Sequence, residues 1–141
     1  METSDLKKKN VDDFNSEYIK KFSNSPYPLF SVMEFNLHGS CSRRCAFCPR
    51  VDESIWPNLD EEFDMKLFEN ILDQLRELNY TGRLAFSGFS EPFMHSKIEE
   101  IIEKISKTLP NARSEIITNG DYLKFENTKR ILELGLDHMF V

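Results

Sequence analysis

No run of apolar residues in this 141-residue chain approaches the roughly 20 that a membrane-crossing helix needs. The N-terminal stretch "METSDLKKKNVDDF" has lysines but no apolar segment behind them, so it does not read as a secretory signal. Positive charge is also in short supply: 18 Lys and Arg stand against 24 Asp and Glu, a net charge of −6. That balance argues against a broad electrostatic footprint for nucleic acid or for an anionic membrane surface. Internal repeats and low-complexity tracts are lacking. Cysteine is scarce, with three residues. An odd, clustered set makes a poor disulfide framework and points to a reducing compartment, the cytoplasm. What the chain does have is apolar bulk, twelve Phe included, and enough length for one buried core.

Two segments are expected. Residues 1–29 read as an N-terminal extension, partly helical or disordered. Within it Phe14, Tyr18 and Phe22 fall at four-residue spacing on a short helix over Val11 to Phe22, and Pro26 and Pro28 then break it. Residues 30–141 alternate in pattern. Strand character over Phe30 to Leu37 precedes the cysteines. A helix follows over Asp64 to Leu78, with Asp64 as its N-cap. "GRLAFSG" (Gly82 to Gly88) reads as a strand. Ser96 to Lys107 reads as a helix, with Ser96 and Glu99 in capping-box register and Pro110 as its stop. "SEIIT" (Ser114 to Thr118) predicts a strand, Phe125 to Gly135 a helix closed by Gly135, and "HMFV" the opening of another strand. Such alternation specifies an α/β fold with parallel βα repeats, about three and a half of them. A sheet ending at that last strand would leave an unpaired edge, so the chain reads as part of a domain, with a partner or further sequence supplying the missing strands.

The working face of a parallel α/β sheet lies at the carboxyl ends of its strands. Here those ends carry "LHGSCSRRCAFCPR", "SGFSEPFMH" and "TNGD", whereas the opposite loops, "NYTG" and "LPNA", are ordinary turn material. Cys41, Cys45 and Cys48 lie within eight residues, a spacing at which thiolates converge on one soft metal centre. Two readings stay open. With His38 three residues upstream, the loop could hold zinc in a Cys3His site, or a degenerate cluster, in a non-catalytic binding module. Alternatively three thiolates hold a [4Fe–4S] cluster and leave one iron free for chemistry.

Cys41-Ser-Arg-Arg-Cys45-Ala-Phe-Cys48 resembles the CxxxCxΦC signature of the radical S-adenosylmethionine (radical SAM) superfamily. "GFSEP" resembles that family's GGEP motif and "ITNGD" its TNG element, and the three occur in the family's order on the expected strand ends. The resemblance covers residues 30 to 141 and implies part of a six-unit (β/α)6 barrel. It implies that Cys41, Cys45 and Cys48 ligate a [4Fe–4S] cluster whose fourth iron is chelated by S-adenosyl-L-methionine. It further implies that Glu91, with backbone of Gly88 to Ser90, holds the methionine amino group, and that Phe47 lies near the adenine. Thr118 and Asn119 would line the cofactor pocket. Reductive cleavage would yield a 5′-deoxyadenosyl radical for hydrogen abstraction from a small molecule or peptide, driven by a one-electron donor of flavodoxin or ferredoxin type. Ser90 departs from the motif, standing where the family has glycine. No residue is assigned as catalytic.

The remaining polar residues have plainer readings. His95 and His38 read as structural hydrogen-bonding groups. Arg43 and Arg44 read as solvated loop residues, although positive charge beside a cluster tunes its potential. Asp121 reads as a cap for the loop before the next helix.

Overall fold

The computed structural model describes residues 29–141 together with Ser16 and Lys20, both helical. The rest of the expected Val11–Phe22 helix, and the Pro26–Pro28 break, lie outside the described residues. The chain divides into two units, Met1–Val32 and Met33–Val141, and every helix detailed below and every candidate site residue belongs to the second.

Elements follow in the order β1 (Val32–Phe35), α1 (Met65–Glu77), β2 (Arg83–Phe86), α2 (Ile98–Thr108), β3 (Arg113–Ile117), α3 (Phe125–Glu133) and β4 (His138–Phe140). Single 3-10 turns lie at Pro49–Val51 and Pro92–Met94. The four strands form one parallel sheet in the order β1-β2-β3-β4. Register sets Ala85 opposite Glu115 and Glu115 opposite His138. Sequential strands are thus spatial neighbours, as is usual for consecutive elements. Three complete βα units and the strand of a fourth are present, the count the alternation predicts. Among the described residues no helix is long and apolar enough to cross a membrane.

The helices form because their apolar positions repeat at helical spacing and their ends are marked. Asp64 caps α1, its carboxylate accepting from Leu67 N at 2.8 Å. That helix buries Phe68, Leu72 and Leu75, each worth about 1.5–3 kcal/mol as an upper estimate. Four phenylalanines join β1, β2 and α1 into one aromatic core. Phe35 stacks on Phe86 at 5.5 Å and meets Phe68 edge-on at 5.6 Å and Phe63 at 5.8 Å. Ile98, Ile101, Ile102 and Ile105 are the buried face of α2, and Gly135, at φ +105°, ends α3's last turn.

One expected device is replaced. Ser96 does not form a capping box with Glu99; α2 begins after Lys97, and Ser96 gives both its N–H (2.6 Å) and its hydroxyl (2.8 Å) to Glu62. A carboxylate from the segment before α1 outcompetes the local partner, because it accepts two charge-assisted bonds at once.

Past Phe35 the chain runs antiparallel to residues 59–63. Phe63 N donates to Leu37 O, Gly39 N to Glu61 O and Leu59 N to Gly39 O, at 2.9, 2.7 and 3.0 Å. This short ladder fixes the take-off point of the cysteine loop directly above the core.

Candidate functional site

The cysteine loop has little regular structure, so polar cross-braces hold it. Cys48 N donates to Cys45 O and Val51 N to Cys48 O, tightening the second half into turns. Cys41 N donates to Asn58 Oδ1 at 3.2 Å. Ser40 ties the start of the loop to Leu59 O through its hydroxyl, 2.7 Å. All three thiols are free and partly exposed.

Arg50 closes the loop from below. It is buried, 3 % exposed, and its guanidinium spans three segments. Nη2 donates to Gly39 O at 2.9 Å, Nη1 to Asn58 Oδ1 at 2.7 Å and to Pro57 O at 3.3 Å, and Nε donates to Phe89 O. Burial lowers its proton affinity below the ordinary arginine value, and negative charge on Cys41 and Cys48 opposes that shift. Sequence reasoning passed over Arg50. The only local signal was a cation directly after the cysteine run, in "CPR".

The β2 loop turns back toward the same place. Gly88 has φ +83°, a left-handed conformation that a side chain resists, and a Cβ there would collide with Asn36 Oδ1. Asn36 accepts from Phe89 N at 2.8 Å, so the close approach is itself part of the hold. Glu91 is 1 % exposed. Its N–H donates to Ser40 O at 3.2 Å, linking this loop to the cysteine loop. Its Oε1 accepts from Thr118 Oγ1 at 2.7 Å and from Phe93 N at 3.2 Å, and its Oε2 accepts from Asn119 N at 2.9 Å. A buried carboxylate needs such donors to be stable. Ser90, the departure from the expected motif, has a buried hydroxyl with no hydrogen-bond partner among the described residues.

The β3 loop completes the circle. Asn119 Nδ2 donates to Ser42 Oγ at 2.9 Å and to Cys41 Sγ at 3.5 Å. Asp121 does not cap its own loop. It takes the Arg43 guanidinium in a fork (Nη2 at 2.6 Å, Nε at 3.0 and 3.1 Å) and accepts from Ser42 Oγ at 2.9 Å. Hydrogen bonding and attraction to Asp121 raise Arg43 above its ordinary value, and Arg43 with Ser42 holds the Asp121 carboxyl below the usual range. Arg43 is therefore paired, not a free solvated residue, and Arg44 pairs with Glu53. The three loops that the topology sets side by side are thus joined by hydrogen bonds into one assembly.

The other expected residues fall as follows. Phe47 is 92 % exposed, on the cysteine loop. His95 is buried and structural, with its Nε2 3.1 Å from Phe63 O and Nδ1 accepting from Lys97 N at 3.1 Å. His38 accepts from Ser40 N through Nδ1 at 3.0 Å, and its Nε2 faces Asp60 at 3.8 Å. With both ring nitrogens engaged away from the thiols, His38 is a poor fourth ligand for zinc. Among the described residues no three His, Cys, Asp or Glu side chains gather closely enough to hold a metal ion. A cavity of about 510 Å³ opens beside the loop, lined by Asn36, His38, Arg50, Trp56 and Glu62 among others, but none of the cysteines lines it. The thiols nonetheless suit an anionic thiolate-held cluster in chemistry: three free sulfurs on one braced loop, with two guanidinium groups and an amide donor beside them.

Comparison with known proteins places the chain among relatives. The family model described as the Radical SAM superfamily matches residues 35–141. An S-adenosyl-L-methionine-dependent 2-deoxy-scyllo-inosamine dehydrogenase of Niallia circulans is 30% identical over 114 residues, covering 80% of this chain and 44% of that protein. A tungsten-containing aldehyde ferredoxin oxidoreductase cofactor-modifying protein of Pyrococcus furiosus is 28% identical over 100 residues, covering 71% of this chain and 27% of its own length. The crystal structure of BtrN in complex with AdoMet and 2-DOIA superposes with a TM-score of 0.73 at 29% identity, over 79% of this chain and 44% of BtrN. The chain therefore spans less than half the length of these relatives.

Proposed function

Because the chain belongs to the radical SAM superfamily, we propose that it is the cluster-bearing part of an enzyme that opens S-adenosyl-L-methionine reductively. In that role Cys41, Cys45 and Cys48 would hold a [4Fe–4S] cluster, and S-adenosyl-L-methionine would bind beside it. When bound, that pair supplies a 5′-deoxyadenosyl radical able to abstract a hydrogen atom from a substrate. The observation that carries the reading is the interlock of the three loops: Glu91 holds Thr118 and Asn119, and Asn119 reaches Cys41.

The chain's own residues divide the work. Arg50 and Arg43 offset the negative charge of the thiolates, which lowers the cost of gathering three of them. Gly88 lets the backbone approach closely, and the buried Ser90 hydroxyl, without a hydrogen-bond partner among the described residues, lies in the same loop. Glu91 sets the position of the β3 loop and adds negative charge where an ammonium group would lie. Phe47, exposed beside Cys48, is available to pack on an adenine ring. The electron comes from a flavodoxin- or ferredoxin-type donor, in a reducing compartment such as the cytoplasm.

Anaerobic iron and sulfide reconstitution followed by electron paramagnetic resonance tests this directly. The expected result is a reduced cluster signal that changes when S-adenosyl-L-methionine is added and is lost in Cys45→Ala. A well-folded chain that takes up zinc but no iron–sulfur cluster would sink the proposal.

A further inference from the structure

Resting on the reading that the three cysteines hold an iron–sulfur cluster, we propose that Asn119 is a positioning residue for it. Its side-chain amide hydrogen-bonds the Cys41 sulfur, and with the Asp121–Arg43 pair it clamps the first turn of the cysteine loop onto the end of β3. The consequence is a raised reduction potential.

The orientation of the Asn119 amide is fixed by its neighbours. Asp121 N–H can only donate, and it meets Asn119 Oδ1 at 2.9 Å, so the NH2 end must face Cys41 and Ser42. One amide hydrogen goes to Ser42 Oγ and one to Cys41 Sγ. Ser42, accepting from Asn119, donates its own hydroxyl hydrogen bond to Asp121 Oδ2, so the donors and acceptors run in one consistent order. Asp121 then holds Arg43 by a fork, the geometry in which a guanidinium–carboxylate pair is strongest. The assembly stands on a rigid base: Asn119 N donates to the buried Glu91, and Thr118 N to Phe140 O of β4 at 2.9 Å.

A hydrogen bond to a thiolate ligand stabilises negative charge on its sulfur. The reduced cluster carries one more electron than the oxidised one, so the bond favours the reduced form. Cys45 and Cys48 have no such side-chain donor among the described residues, which makes Cys41 the sulfur through which the β3 loop acts on the cluster.

Two measurements on the full chain separate this inference from the reading beneath it. Potentiometric titration of the reconstituted cluster is expected to give a more negative midpoint in Asn119→Ala than in wild type, with cluster loading retained. If Asn119→Ala loads no cluster, Asn119→Ser replaces it with the same expectation, its shorter side chain falling short of the sulfur. A midpoint unmoved in the loaded variant overturns the inference and leaves the functional reading intact. Hydrogen exchange of the cluster-free chain needs no metal. Asp121→Ala is expected to speed exchange of the amides of residues 41–45 several-fold, and the swap Arg43→Asp with Asp121→Arg to restore much of the protection. Unchanged exchange in Asp121→Ala overturns the clamp. A wild type that is protected in these amides but takes up no cluster overturns the functional reading instead.

Discussion

Replacing Arg50 by methionine isolates what one buried guanidinium does for the cysteine loop. Methionine keeps most of the apolar stem but none of the donors, so Phe89 O and Pro57 O lose these bonds and Gly39 O and Asn58 Oδ1 each lose one of two. A hydrogen bond from a charged donor contributes about 1.5–3 kcal/mol, and a buried acceptor left without one carries its desolvation penalty. The Pro57 contact is long and the remaining three share one group, so they do not add fully. We expect a loss of about 3–4 kcal/mol, a large part of the roughly 5–15 kcal/mol that holds an ordinary domain together. At a urea slope of about 1.5 kcal/mol per M, the unfolding midpoint should fall by roughly 2 M or more. Arg50→Lys is the informative partner. It keeps the charge but cannot fork to three segments, so its midpoint should lie between the other two. Urea titrations followed by tryptophan fluorescence report on this locus, because Trp56 sits in the same segment, 4.8 Å from the Phe89 ring. A methionine variant within about 0.5 M of wild type would refute the view that Arg50 is the principal brace, given those slopes.

Three further outcomes follow from the same geometry. Gly88→Ala places a Cβ against Asn36 Oδ1 in a left-handed backbone, and should cost about 1–3 kcal/mol; an unshifted melting temperature would show that the loop relaxes freely. Glu91→Gln keeps the shape but turns an NH2 either toward Thr118 Oγ1 and Phe93 N together or toward Asn119 N, for a loss of about 1–3 kcal/mol in urea; a neutral result would mean that the interlock is incidental. Glu62 titrates below its ordinary 4.5 chiefly because Ser96 N donates to its carboxylate. Its contribution is therefore complete above that value and disappears as pH falls through the lowered one, so acid destabilisation should be shallower in Glu62→Gln than in wild type. Matching pH profiles of the two urea midpoints would count against the bond.

What the sequence made legible was what neighbours in the chain decide. Helical spacing located α1, α2 and α3, and the Asp64 cap was readable because its partner, Leu67 N, lies three residues away. The cysteine spacing and the two motif-like loops were readable for the same reason. Illegible were the contacts whose partners are far apart in sequence. Ser96 found Glu62, 34 residues upstream, in place of its local partner, and Arg43 found Asp121 across 78 residues. A hydroxyl or guanidinium takes whichever acceptor the fold delivers, and no local pattern encodes that choice.

Glu91 shows why this matters for the site itself. As a motif residue it was expected to meet a ligand's amino group. In the fold it is buried and accepts from Thr118, Phe93 and Asn119, and through Asn119 its position reaches Cys41. These roles are compatible, because a carboxylate offers about four acceptor sites and three are filled. The one remaining can serve a ligand only while the other three keep the carboxylate aimed. Loss of the β3 donors would then disturb the cysteine loop and the Glu91 loop together, so under the proposed function ligand binding and cluster binding should fail as one event and not two.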